Sequence, residues 1–81
     1  MTNPRIIDRP ELLELDTTAD VEEIYEKRAF KWTGRISTLS DAFDPFSCNS
    51  GTGMLKEVRV SAAGKRFVFR AENGIWRWEM R

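Results

Sequence analysis

The chain has 81 residues, 41% hydrophobic and 32% charged, with thirteen lysines and arginines balanced by thirteen aspartates and glutamates. That length leaves room for a single domain (1–81) with a modest core, and the apolar content excludes collagen-like, mucin-like and fully disordered chains. There is no histidine and one cysteine, Cys48, which excludes the Cys/His zinc constellations and removes the commonest general base at neutral pH.

Further exclusions come from motifs. No phosphate-cradling glycine loop is present, the nearest cluster being Gly51-Thr52-Gly53 without a following lysine. Asp41 and Asp44 lie three apart, but a calcium loop needs more oxygen ligands at fixed spacing, so both read as turn and cap residues. Cys48 has no histidine to activate it and reads as an inert thiol. The chain is therefore expected to be no enzyme, with no catalytic residues, metal or cofactor. No apolar run suffices for a membrane span or a signal-peptide core, and a lone cysteine suits a reducing compartment, so a cytoplasmic protein without membrane contact is expected.

Charge is unevenly spread. Residues 1–26 hold eight acids against Arg5 and Arg9, whereas residues 27–81 hold eleven lysines and arginines against five acids. Such a split implies either internal neutralisation on folding or two surfaces for different partners.

In chain order, residues 1–9 read as a flexible arm. Pro10 opens a short helical turn through Glu14, with a strand as the alternative over Leu13 and Leu15. Thr17, Thr18 and Asp20 are capping residues, followed by Glu22 and Glu23 where acids favour a helix start and by Lys27 and Arg28 where cations favour its end. Val21, Ile24, Tyr25 and Arg28 share a face at helical spacing, so a helix burying a narrow stripe is predicted over about 19–28. Beyond it Phe30, Trp32 and Ile36 alternate with polar residues, predicting a strand at 29–36 with Gly34 as a bulge or close approach. Residues 37–53 read as a long loop, with Ser40 capping one turn through Asp41-Ala42-Phe43 and Pro45 ending it.

The last third carries the clearest signals. Asn73-Gly74 is a type I′ hairpin pair, and it places Phe69 opposite Trp78, Arg70 opposite Arg77 and Val68 opposite Glu79. A turn at Ala63-Gly64 independently places Val60 opposite Phe67 and Glu57 opposite Arg70. The two turns agree on the faces, predicting a three-stranded meander with Val58, Val60, Phe67, Phe69, Trp76, Trp78 and Met80 on one side. The expected fold class is α+β: one short N-terminal helix packed on an antiparallel sheet of about four strands. Its core should comprise Val21, Ile24, Phe30, Trp32, Val58, Val60, Phe67, Phe69, Trp76 and Trp78.

Two surfaces stand out as candidate partner sites. The opposite face of the meander gathers Arg59, Arg66, Arg70, Arg77 and Arg81, and Arg70 beside Arg77 invites an anionic neighbour. Glu57 and Glu79 interleave with these cations, so a solvated face is the simpler reading. The segment Asp41-Ala42-Phe43-Asp44-Pro45-Phe46 offers Phe43 and Phe46 either as anchors for another protein or as plugs of an open core. The arginine face is the preferred of the two.

A very small chain, acidic in one half and basic in the other, without catalytic groups, is similar in format to phage-encoded inhibitors, including anti-CRISPR proteins and inhibitors of host polymerase. That likeness rests on no motif and assigns no residues. It implies a viral, stoichiometric inhibitor or regulator that binds another protein. The alternative is a nucleic-acid-binding module using the arginine face. It is weakened by zero net charge and by aromatics placed on the opposite side.

Overall fold

The computed structural model describes residues 5–43 and 53–81. Six strands form one antiparallel sheet: β1 (Arg5–Ile7), β2 (Glu14–Tyr25), β3 (Ala29–Thr38), β4 (Leu55–Ala62), β5 (Lys65–Glu72) and β6 (Ile75–Met80), in the order β1-β6-β5-β4-β2-β3. Two short 3-10 turns, Pro10–Leu12 and Leu39–Ala42, are the only helical elements among the described residues.

The meander β4-β5-β6 has the register expected from its turns. Val60 faces Phe67, Val58 faces Phe69, Phe69 faces Trp78 and Arg70 faces Arg77. The reason is local. Ala63 (φ 52°), Gly64 (φ 73°), Asn73 (φ 54°) and Gly74 (φ 80°) adopt the left-handed backbone of two-residue primed turns, which match the right-handed twist of the flanking strands. Turn position then sets which side chains share a face.

The expected helix over 19–28 does not form, and the fold is all-β rather than α+β. Residues 14–25 are strand β2, which pairs with β3 on one side and β4 on the other. A helix of ten residues is marginal by itself, whereas β2, flanked by β3 and β4, is paired on both edges from Ala19 to Ile24. The capping residues serve the sheet instead: Asp20 Oδ1 accepts a hydrogen bond from Thr33 Oγ1 at 2.7 Å across the β2–β3 ladder. Asp16, with φ 42°, sits in the irregular stretch where the β2–β3 register shifts, so a bulge absorbs the change from the preceding turn.

The N-terminal segment also departs from expectation. Arg5, Ile6 and Ile7 pair with Met80, Glu79 and Trp78 as the edge strand β1, so the meander recruits part of the supposed arm. Within the supposed loop over 37–53, Ser37 and Thr38 end β3 and the next four residues form the second 3-10 turn. Its cap is Thr38, not Ser40, in a capping box with Asp41.

The core lies on one face. Ala19, Val21, Ile36, Val58, Val60, Ala62, Phe67 and Trp78 form it with Leu39 and Ala42 of the second turn, and Ile7, Leu13, Leu15, Phe43 and Phe69 pack around it. Four expected core residues lie outside it: Ile24, Trp32, Trp76 and Phe30, the last half-buried against Tyr25. Ile24 is an odd number of residues from Val21, so in a strand it points to the other face. Trp32 lies on the edge strand and Trp76 next to the second hairpin turn, each more than one-third exposed. Tyr25 is buried, which the helical reading also required, but through an edge-on contact with Phe30, ring centroids 5.8 Å apart.

Candidate functional site

Two surfaces emerge from this register. The outer face, opposite the core, collects the five arginines Arg59, Arg66, Arg70, Arg77 and Arg81, because their ladder partners alternate with the core residues of β4, β5 and β6. Their environment differs from the expected solvated row. Glu79, at 2% exposure, is the one buried charged residue among those described. Its Oε1 lies 3.5 Å from Arg70 Nε, and its Oε2 lies 3.8 Å from Arg81 Nη2. Val68, its ladder partner, is also buried on this face.

The remaining arginines are partly neutralised within the fold. Arg77 lies 3.8 Å from Glu72, and Arg59 Nε donates to Glu57 Oε2 at 2.6 Å while approaching Glu22 at 3.9 Å. Arg70 and Arg77 keep only 38% and 34% of their side chains exposed. Arg66 has no ion pair among the described residues and lies with Lys31, Arg59 and Arg81 along a hollow of about 500 Å³, bordered by Asp20 and Glu22. The acidic first third of the chain thus supplies β2, whose Asp20 and Glu22 lie on the same face as Arg59 of β4. Among the described residues, only the Glu22–Arg59 approach at 3.9 Å joins the acidic and basic halves on this face; its other ion pairs come from Glu57, Glu72 and Glu79, acids of the basic half itself.

The second surface is a cleft of about 590 Å³ between β1, the first 3-10 turn and the start of β6. It is lined by Ile6, Ile7, Pro10, Phe43, Phe69, Ile75, Trp76 and Trp78, with Asp8 and Arg77 supplying charge. Ile75 is 62% exposed and Trp76 38%. An aromatic row builds its wall: Phe69 stacks on Trp76 at 5.2 Å between centroids, tilts against Trp78 at 5.0 Å and meets Phe43 at 5.9 Å. Phe43 is half-buried and packs on the core while lining the cleft, so it combines features of the plug and the anchor. Phe46, Cys48, Asp44 and Pro45 lie outside the described residues.

Asp41 has a structural task. Its carboxylate accepts the backbone N–H groups of Ser37 at 3.2 Å and Thr38 at 3.1 Å. No group of three metal-binding side chains occurs among the described residues, and none of their helices is long and apolar enough to cross a membrane.

Sequence reasoning brought the arginines to one face but missed the burial of Glu79 and the cleft. The signal for Glu79 was present in the ladder, where Arg70-Arg77 and Arg66-Arg81 bracket it. The cleft had no local signal, because Ile6 and Pro10 come from one end of the chain and Trp76 from the other. The chain matches no protein-family model, no curated protein and no solved structure.

Proposed function

We propose that this protein is a small binding module acting stoichiometrically on another protein, as an inhibitor or regulator, with the apolar cleft as its contact. The observation that carries the reading is the exposure of Ile75 and Trp76 beside the half-buried Phe43 on one concave surface. Tryptophan is among the residue types enriched as binding anchors, where a partner's pocket excludes water around it. A domain this small gains stability by burying such side chains, so leaving them at the surface favours a partner that covers them. The arginine face supports the reading less well, since Glu57, Glu72 and Glu79 already pair with four of its five cations.

The test is capture of the partner from a lysate followed by titration of that partner with Trp76→Ala and Ile75→Ser. Loss of about 2 kcal/mol or more of binding in Trp76→Ala is expected, with a folded amide spectrum. Wild-type affinity in both variants refutes the cleft as the contact.

A nucleic-acid module remains the second reading, favoured by the hollow that brings Lys31, Arg59, Arg66 and Arg81 together. It requires binding to generic oligonucleotides that weakens steeply with salt.

A further inference from the structure

The two edges of the sheet differ. β1 is three residues long, whereas β3 runs ten residues from Ala29 to Thr38 and pairs only with β2. A long unpaired edge is a template for another strand, and folds usually blunt it with proline, a bulge or a cover. The outer side of β3 has no proline, and its register with β2 is unbroken from Thr17–Ile36 to Ile24–Ala29.

The direction of each backbone group follows from the hairpin. Tyr25 N–H donates to the Arg28 carbonyl at 2.9 Å, so 25 and 28 are a hydrogen-bonded pair. Alternation along an antiparallel ladder then turns the N–H and C=O groups of Phe30, Trp32, Gly34 and Ile36 towards β2. Those of Ala29, Lys31, Thr33 and Arg35 point away from the sheet, a row about 20 Å long. No backbone partner for them occurs among the described residues. The row ends at Ser37, whose N–H is taken by the Asp41 carboxylate.

Side chains along this edge select what can add to it. On the outer face, Lys31 and Arg35 are exposed and have no carboxylate partner among the described residues. Glu22, opposite Lys31, approaches Arg59 instead, and Asp20 accepts the Thr33 hydroxyl. On the inner face, Trp32 lies back over Gly34, where a Cβ would come within 3.2 Å of its ring, and its Nε1 donates to Glu23 at 2.8 Å. The edge therefore presents two cations on one side and an aromatic surface beside half-buried Phe30 on the other.

We propose that β3 accepts an extended segment of a partner protein as a seventh strand, one that alternates carboxylate and apolar side chains. Carboxylates four residues apart would face Lys31 and Arg35, and the apolar residues between them would cover Trp32 and Gly34. Main-chain hydrogen bonds supply affinity in such strand addition, and alternate side chains supply specificity. A second copy of this chain suits the edge less well, because pairing centred on Thr33 sets Lys31 against Arg35 twice. This surface is separate from the cleft, at the opposite edge of the sheet.

The experiment is amide exchange and titration by NMR, using a capped peptide of alternating glutamate and valine about nine residues long. In the free protein, the amides of Lys31, Thr33 and Arg35 should exchange rapidly while those of Phe30, Trp32 and Gly34 are protected. On binding, the first set should slow by about tenfold or more. Thr33→Pro removes the central outward N–H at an edge position where proline is tolerated, and should abolish binding while leaving the amide spectrum dispersed. Lys31→Glu with Arg35→Glu should weaken the peptide by about tenfold or more and admit the lysine–valine counterpart. Protection of Lys31 and Thr33 in the free protein overturns the proposal, as does wild-type binding by either variant. Concentration-dependent dimerisation that Thr33→Pro removes also overturns it, in favour of a second copy.

Discussion

Arg70 Nε lies 3.5 Å from the Glu79 carboxylate, which is almost wholly buried on the face of the sheet opposite the core. A buried acid is tolerated only when paired, and removing one partner leaves the other charge uncompensated. The outer face is therefore a structural ion cluster as well as a display of arginines.

Glu79→Ala is accordingly expected to cost about 2–3 kcal/mol of folding free energy, read from the urea midpoint with an unchanged slope. Arg70→Glu should cost a similar amount, since it sets a second carboxylate beside Glu79. Arg66→Glu, at an exposed position without an ion pair among the described residues, should fall within about 0.5 kcal/mol of wild type.

Core and cleft side chains should separate in the same assay. Phe67 is fully buried, and Phe67→Ala should lose about 3–5 kcal/mol. Ile75 projects into the cleft, and Ile75→Ser should change stability by about 0.5 kcal/mol or less. A large loss at Ile75 would mean that the cleft is closed in solution.

The hairpin turns allow changes of opposite sign. Ala63 holds φ 52° with an ordinary side chain, so Ala63→Asn should stabilise by about 0.5–1 kcal/mol. Gly74 holds φ 80° with open space where a Cβ would stand, so Gly74→Ala should cost about 1–2 kcal/mol through the backbone alone. Thermal denaturation of both variants measures the difference.

Asp41 closes the end of β3 by accepting two backbone N–H groups. Asp41→Ala should cost about 1 kcal/mol, and the amides of Ser37 and Thr38 should exchange faster. Unchanged exchange there would show that the carboxylate is dispensable.

What the sequence by itself determined was the C-terminal meander: its two turns, its pairings and the division of its side chains between two faces. Those features depend on backbone conformations open to Asn-Gly and Ala-Gly and on a period of two, which are local properties. Tertiary structure decided the rest. Val21, Ile24 and Tyr25 suit a helix as readily as a strand, and the choice fell to β3 and β4, which offer β2 hydrogen-bond partners on both sides. Pairing with β6 likewise turned residues 5–7 from an arm into a strand, and the ladder buried Glu79 among arginines drawn from two strands. Each of these depends on pairing between strands, which sets hydrogen-bond partners and charges side by side only once the sheet has formed.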